Sequence, residues 1–294
     1  MTIKIIDTHQ HLWDLQKIRL PWVDNIPQLN RSFDCEDYYQ YTNHNSEADF
    51  DYEIEQSLYM EVDVDEEDIE TEIQIITQLC DSDSNRLTGI IASGRPESDL
   101  FADSVKKAKN QQWIKGFRRV LHTESTPPET CLSEQFQDSM RLLGSNGYPF
   151  DLCMRADDLL HASSLAENCP DTQFVVDHCG NPDVRMTSEQ ISNWANAIQV
   201  LAGNQNVACK ISGFVWTMQS ADWNYEKDIE PILRRVYEAF GPDRLLFGGD
   251  WPVCTLSALS FQQWLNAIYR FSTETDSRLP EKLFYRNAKA IYGI

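Results

Sequence analysis

The amino-acid sequence predicts an α/β protein built as a single (β/α)8 TIM barrel, and three observations carry this prediction. Short apolar runs alternate with segments of helical periodicity, the number of such runs is eight, and no linker or internal repeat divides the chain. Strict alternation favours parallel strands with right-handed crossovers, and eight units close into a barrel. The length of 294 residues suits one barrel domain, residues 1–294, because such barrels typically need about 250 residues.

The first strand is predicted at the N-terminus, where Ile3, Ile5 and Ile6 form a β-branched run. Residues 20–45 contain prolines and aromatic residues without sustained periodicity, so we expect a long, irregular and functional loop there. The other seven strands are predicted at apolar runs that span residues 54–62, 87–92, 113–120, 149–154, 173–179, 207–213 and 245–250. Helical periodicity marks residues 66–80, 101–109, 134–144, 157–168, 188–201, 228–240, 257–270 and 280–291.

The competing interpretation of this alternation is an open, doubly wound sheet. Such a sheet commonly carries a G-x-G-x-x-G phosphate-binding turn after its first strand. No glycine precedes Gly89 in this chain. The closed barrel is therefore favoured.

Composition excludes several classes of partner. The chain has 46 acidic and 25 basic residues, and a net charge of −21 repels both nucleic acid and anionic lipid. An anionic substrate would need local cations to overcome this field. No apolar run approaches the roughly 18 residues of a membrane span, and no signal-peptide pattern is visible.

Cysteine usage bears on the compartment. Eight cysteines occur without a C-x-x-C pair, which is typical of a reducing compartment. We therefore expect a cytoplasmic protein whose partner is a small-molecule substrate. The acidic composition carries no information on assembly, so a monomer and a homodimer both stay open.

Reactive side chains follow the predicted strands. His9 and His11 follow the first strand and point the same way in an extended chain, while His178 ends the sixth strand and Asp250 the eighth. Chemistry in such barrels takes place at the carboxyl ends of the strands. Three imidazoles and one carboxylate suit a divalent first-row ion, zinc first and manganese second, with an open position for water.

Motifs along the chain carry a family resemblance. They run in order from residue 7 to residue 292 and read DTHQHLW, LPWV, KGFRRVLH, FDLCMR, FVVDHCGNP, CKISGF, FGGDWPV and YRNAKAIYG. These motifs resemble the amidohydrolase superfamily, in its amidohydrolase-related branch of sugar lactonases. That branch includes L-fucono- and L-rhamnono-lactonases and, further off, 2-pyrone-4,6-dicarboxylate lactonase.

The resemblance implies a metal site with defined ligands. His9 and His11 match the family's H-x-H pair, His178 matches its later histidine, and Asp250 matches its final-strand aspartate. Binuclear members use a carbamylated lysine on a middle strand, where this chain has GFRRV. The resemblance therefore implies one divalent ion, and metal-free hydrolysis stays open as the alternative.

Further residues are expected around the substrate. Arg118 falls on the family's arginine for the substrate carbonyl or carboxylate, and Lys210 matches a lysine of the sugar lactonases. Trp251 is expected near the barrel mouth, where an indole can stack on a sugar ring. Glu61 is open to two interpretations: an additional metal ligand, or an ion-pair partner of Arg119.

The function that this resemblance implies is hydrolysis of a sugar-derived lactone by an activated water, with Asp250, His178 and Arg118 as catalytic residues. Asp250 would take the proton of the water and pass it to the departing alkoxide. Two alternatives are a decarboxylase of the same superfamily acting on an unsaturated or aromatic acid, and a non-catalytic barrel that binds a metabolite.

Overall fold

The computed structural model describes residues 2–43, 48–82 and 86–294, and it confirms the predicted (β/α)8 barrel. Eight parallel strands lie side by side in chain order, from β1 to β8. The strands are β1 Ile3–Gln10, β2 Tyr52–Met60, β3 Leu87–Ser93, β4 Ile114–Val120, β5 Phe150–Cys153, β6 Phe174–Val176, β7 Val207–Ile211 and β8 Leu245–Phe247.

Helices alternate with these strands along the chain. They are α1 Cys35–Thr42, α2 Ile69–Cys80, α3 Phe101–Ala108, α4 Glu134–Ser145, α5 Leu159–Asn168, α6 Ser188–Ala202, α7 Glu230–Phe240, α8 Phe261–Thr275, α9 Leu279–Glu281 and α10 Asn287–Tyr292. A π-helical turn, Lys282–Arg286, separates the last two, where the sequence predicts one continuous helix. None of the described helices combines the length and the apolar character needed to cross a membrane.

Helix α1 corrects the expectation of an entirely irregular stretch at residues 20–45. The helix begins with a capping box, in which the Asp34 side chain accepts from the Asp37 backbone N–H and Asp37 reciprocates. The segment is short and amphipathic only in part, so periodicity did not reveal it. His44 lies outside the described residues.

The barrel closes where β8 meets β1, next to the candidate functional residues. The Asp250 N–H donates to the His9 carbonyl at 2.7 Å, and the His11 N–H donates to the Trp251 carbonyl at 2.8 Å. Thr8 Oγ1 donates to the Phe247 carbonyl at 2.6 Å. Closure therefore fixes the end of the first strand against the loop after the last.

The core has two parts. A large cluster fills the layer between strands and helices, and a smaller one fills the barrel interior with Ile6, Leu58, Met60, Ile91, Val175, Ala208 and Leu246. Ala288 and Tyr292 of α10 join the interior cluster. Asn287 donates to the carbonyl of Leu245 at the start of β8, so α10 covers the amino ends of the strands.

Candidate active site

A cavity of about 510 Å³ lies at the carboxyl ends of the strands. His11, His178 and Asp250 line it, together with Arg118. The indoles of Trp22 and Trp216 and the side chains of His122, Arg155, Asn181 and Asp183 complete much of its wall.

Three imidazoles converge on one carboxylate oxygen. Asp250 Oδ1 lies 3.6 Å from His9 Nε2, 3.5 Å from His11 Nε2 and 4.0 Å from His178 Nε2. Zinc ligands lie about 2.0–2.1 Å from the metal, so the edges of a tetrahedral site measure roughly 3.4 Å. The separations of His9 and His11 from Asp250 are close to this edge and that of His178 is longer; His9, His11 and Asp250 form one group that could hold a divalent ion, and His9, Asp177 and His178 form a second.

Two of the imidazole rings are held in one orientation by hydrogen bonds at Nδ1. His11 Nδ1 donates to the Met60 carbonyl at 2.9 Å, and His178 Nδ1 is hydrogen-bonded to Ser212 Oγ at 2.9 Å. Nε2 of each ring is thereby directed toward Asp250. Such partners typically fix the tautomer and orientation of metal-binding histidines.

Burial keeps two of these rings in the form that can bind a metal. Desolvation holds the pKa of His9 well below its usual range and also lowers the pKa of His178. Both imidazoles are therefore neutral at physiological pH. A neutral imidazole has a free lone pair, which is what ligation requires.

The backbone around His178 is unusual. His178, Cys179, Gly180 and Asn181 all have positive φ, between 55° and 72°. A left-handed conformation costs a non-glycine residue about 1–3 kcal/mol, and such residues concentrate at functional sites. This turn ends β6 at Val176 and redirects the His178 ring into the cavity, instead of continuing the strand to 179 as the sequence predicts.

A buried ionic network lies beneath the imidazoles. Lys210 Nζ is 2.5 Å from Asp151 Oδ2 and 3.1 Å from Asp177 Oδ1. His9 Nδ1 is 3.4 Å from the same Asp177 oxygen. Burial opposes ionisation of Asp177, but Lys210 together with the neighbouring His9 and His178 outweighs it and holds the pKa of Asp177 well below its usual range.

This network corrects the substrate-binding role expected for Lys210. Its side chain is completely buried, does not line the cavity and is engaged by two aspartates. The ammonium group therefore supports His9 and Asp177 from below. Asp177 is the residue that sequence reasoning missed, although it directly precedes His178 in VVDHCG.

Arg118 is fixed by a neighbouring carboxylate. Its Nε lies 2.6 Å from Glu61 Oε1, its Nη2 donates to the Glu61 carbonyl at 2.6 Å, and its Nη1 is 3.4 Å from Asp177 Oδ2. Glu61 Oε2 accepts from the Asp63 N–H at 2.7 Å. Arg118 still lines the cavity, with its guanidinium held in one orientation.

These contacts correct the ion pair expected between Glu61 and Arg119. Arg119 lies instead 3.2 Å from Asp63 Oδ1 and 2.9 Å from Glu97 Oε1. Adjacent residues of a strand face opposite sides of the sheet, so only one of the two arginines reaches Glu61. Both carboxylate oxygens of Glu61 are engaged within the protein, and Glu61 belongs to neither of the ligand groups that the described residues form around a possible metal position.

Trp251 also departs from its expected role. The indole is buried, and its ring packs edge-on against Phe33 at 5.3 Å and Tyr38 at 5.5 Å, outside the cavity wall. Trp22 and Trp216 line the cavity instead. Trp251 therefore anchors the loop that carries Asp250.

Asp7 ties the first strand to the last. Its Oδ1 accepts from the N–H groups of His9 at 3.0 Å and Gly249 at 2.7 Å, and Oδ2 accepts from the Tyr38 hydroxyl at 2.8 Å. Burial raises the pKa of Asp7 to about 6. This side chain fixes the distance between the H-x-H pair and the Gly-Gly-Asp turn.

Imidazole and carboxylate groups thus meet at the carboxyl ends of the strands of a (β/α)8 barrel. This fold and this position of the polar groups are those of the hydrolases built on a (β/α)8 barrel. The model of the Amidohydrolase family matches residues 6–294. The chain belongs to the amidohydrolase family, which confirms the resemblance carried by the motifs.

Similar proteins include enzymes named for lactone hydrolysis. The L-fucono-1,5-lactonase of Burkholderia multivorans is 27% identical over 206 residues, which cover 67% of each chain. The L-rhamnono-gamma-lactonase of Scheffersomyces stipitis is 26% identical over 224 residues, 69% of this chain and 66% of that protein. An amidohydrolase from Burkholderia multivorans, crystallised with bound zinc, shares the fold with a TM-score of 0.85 at 23% identity, covering 99% of both chains. These relatives identify the chain as a hydrolase.

Proposed function

We propose that this protein is a metal-dependent lactonase that opens a sugar-derived lactone of the aldonolactone type. One observation carries the proposal: the Nε2 atoms of His9, His11 and His178 all lie within 4.0 Å of Asp250 Oδ1, and Asp250 lines the 510 Å³ cavity. The named relatives support lactones as the substrate class.

His9, His11, His178 and Asp250 would hold one divalent ion, with zinc favoured over manganese. When bound, such an ion polarises a carbonyl and makes hydroxide available near neutral pH. The buried, neutral imidazoles support this assignment, because they need not lose a proton on binding. A metal-free route would leave Asp250 as the sole activator of water.

Each residue has a distinct task in the proposed reaction. Asp250 accepts a proton from the attacking water, whose oxygen forms the new bond to the lactone carbonyl carbon. Arg118, held by Glu61, orients the carbonyl and stabilises the developing oxyanion. As the ring C–O bond breaks, Asp250 returns the proton to the departing alkoxide. The product is a ring-opened hydroxy acid.

The test combines metal control with one substitution. Purified protein is stripped with chelator, reloaded with zinc or manganese, and assayed against aldonolactones by acid release with a pH indicator. We expect stripping to abolish turnover and reloading to restore it. Asp250→Asn should lower kcat by roughly 10²–10⁴-fold, the usual range for loss of an acid–base group.

Circular dichroism and metal content of Asp250→Asn establish whether the fold and the ion are retained. Wild-type rates in this variant on a confirmed substrate would contradict the proposal. Release of carbon dioxide from an aromatic acid, with no lactone turnover, would replace the lactonase with a decarboxylase.

A further inference from the structure

Two acidic side chains of the cavity wall outside the proposed metal site have arginine partners. Asp63 lies 3.2 Å from Arg119 Nη1, and Asp183 lies 2.5 Å from Arg185 Nη2. Both aspartates line the cavity wall. Asp183 is paired with its own guanidinium, and Asp63 shares Arg119 with Glu97, so each repels an anionic substrate less than an unpaired carboxylate would.

The two guanidinium groups of the described cavity wall differ in their surroundings. Arg118 is buried and compensated by Glu61 at 2.6 Å and by Asp177 at 3.4 Å. Arg155 follows β5, the strand that pairs with β4 of Arg118; it is exposed and makes no ion pair or side-chain hydrogen bond with any residue in the described ranges. Its charge is therefore available to a ligand.

The neighbour of Arg155 offers polarity without competing charge. His122 lines the same wall, and burial together with the charge of Arg155 lowers the pKa of His122 to about 4. Its imidazole is thus neutral at physiological pH. A neutral ring adds no charge beside this guanidinium, which acts through space on Asp158 but forms no ion pair with it.

This local charge stands against a protein-wide excess of acid. The net charge of −21 lowers the local concentration of anions around the molecule, so binding of an anionic group is favoured where a cation is not engaged in an ion pair. A guanidinium also presents paired N–H donors that match the two oxygens of a carboxylate.

We propose that Arg155 forms a carboxylate subsite and that the preferred substrate is a lactone carrying an additional carboxylate, of the kind derived from aldaric or uronic acids. The inference rests on the proposed function and narrows its substrate class. Asp250 and Arg118 act on the lactone carbonyl, while Arg155 holds the carboxylate elsewhere on the same cavity wall.

The experiment compares two lactones that differ in one group. Glucaro-1,4-lactone has a carboxylate where glucono-1,4-lactone has a hydroxymethyl group, and kcat/KM is measured for both. We expect wild-type protein to favour the glucarolactone, and Arg155→Gln to lower the ratio of the two kcat/KM values about tenfold, the scale of one partly exposed charge-assisted hydrogen bond. Arg155→Lys keeps the positive charge but lacks the paired N–H donors of a guanidinium, and it should give an intermediate ratio of the two kcat/KM values.

Arg141→Gln is the matched control. It removes one positive charge from the surface of α4, where Arg141 pairs with Asp138 outside the cavity wall. This variant should keep the wild-type ratio, which separates a local contact from the general field. Added salt should lower the wild-type preference and leave the ratio of Arg155→Gln nearly constant.

A binding measurement separates this inference from the lactonase itself. Titration calorimetry compares glucarate with gluconate on the metal-loaded protein. Hydrolysis of both lactones with an unchanged ratio in Arg155→Gln overturns the subsite and leaves the lactonase standing. Arg155-dependent binding of glucarate without any lactone turnover supports the subsite and overturns the lactonase. Absence of both turnover and binding overturns both.

Discussion

At the scale of single residues, the direction of His178 depends on a glycine on the next strand-end loop. Gly213 has φ +63°, and a Cβ atom there would lie 2.0 Å from His178 Nδ1 and 2.4 Å from its Cγ. The imidazole therefore occupies the space that any other side chain at 213 would need. Ser212, next to it, supplies the hydrogen bond to the same ring nitrogen.

Gly213→Ala should displace the His178 ring and weaken the metal site. Gly293→Ala is the matched control, because Gly293 has the left-handed conformation, with φ 64° and ψ 42°, and nothing lies within 4 Å of the added carbon. The unfolding free energy of the control should fall by about 1 kcal/mol, the cost of a left-handed conformation for a residue with a side chain. The unfolding free energy of Gly213→Ala should fall by about 3 kcal/mol or more. Urea unfolding of protein stripped of metal measures the loss of stability. Zinc titration against a competing chelator measures the loss of metal affinity. Equal behaviour of the two variants would contradict the steric account.

At the scale of elements, a buried carboxyl joins helix α2 to the end of β2. Glu72 Oε1 accepts from the Tyr59 hydroxyl and from the Val62 N–H, both at 2.9 Å. Val62 follows Glu61, so this contact helps to hold the carboxylate that fixes Arg118. Burial, reinforced by the negative charge of Glu61, raises the pKa of Glu72 to about 8.

The stability of this contact should depend on pH. Folded protein keeps the proton on Glu72 up to about pH 8, whereas the unfolded chain releases it near the ordinary glutamate pKa of 4.5. Because the folded state binds more protons in this window, the unfolding free energy falls as pH rises, by about 1.4 kcal/mol per unit. Glu72→Gln keeps the acceptor oxygen and removes the titration. Urea unfolding of both proteins at pH 5, 6.5 and 8 should therefore give curves that diverge with pH; parallel curves would contradict the assignment.

At the scale of the whole molecule, the last helix is connected through the barrel interior to His9, the first of the proposed metal ligands. The Tyr292 hydroxyl donates to Asp151, with its oxygen 2.9 and 3.0 Å from the two carboxylate oxygens. Asp151 contacts Lys210, which contacts Asp177 and, at 3.4 Å, His9 Nδ1. The base of the barrel thus supports the site at its top.

Tyr292→Phe tests how much the hydrogen bond to Asp151 contributes to the stability of the protein. The substitution removes one donor from a buried carboxylate, and we expect a loss of about 1–3 kcal/mol of unfolding free energy, together with weaker zinc binding. Tyr285→Phe is the control, since its hydroxyl bonds Glu55 in a half-buried position on the same terminal segment. That change should cost about 0.5 kcal/mol or less. Thermal and urea unfolding distinguish the two, and equal losses would show that the interior network adds nothing.

The order of strands and helices was readable from the sequence because it rests on local periodicity. Eight apolar runs gave eight strands, and residues at the ends of three of them, His9, His11, His178 and Asp250, came together at one edge. Boundaries were less accurate where local chemistry overrode the apolar pattern. The left-handed turn at His178 shortened β6, and a capping box at Asp34 started a helix in a stretch without periodicity.

What the sequence by itself determined is therefore the closed barrel and the set of imidazole and carboxylate groups at its rim. Only the tertiary structure decided which charges are paired: Glu61 with Arg118 and not Arg119, Lys210 beneath the site and not in the cavity. Ion pairing depends on distances across the barrel, which strand register and side-chain burial fix. Spacing along the chain does not encode those distances.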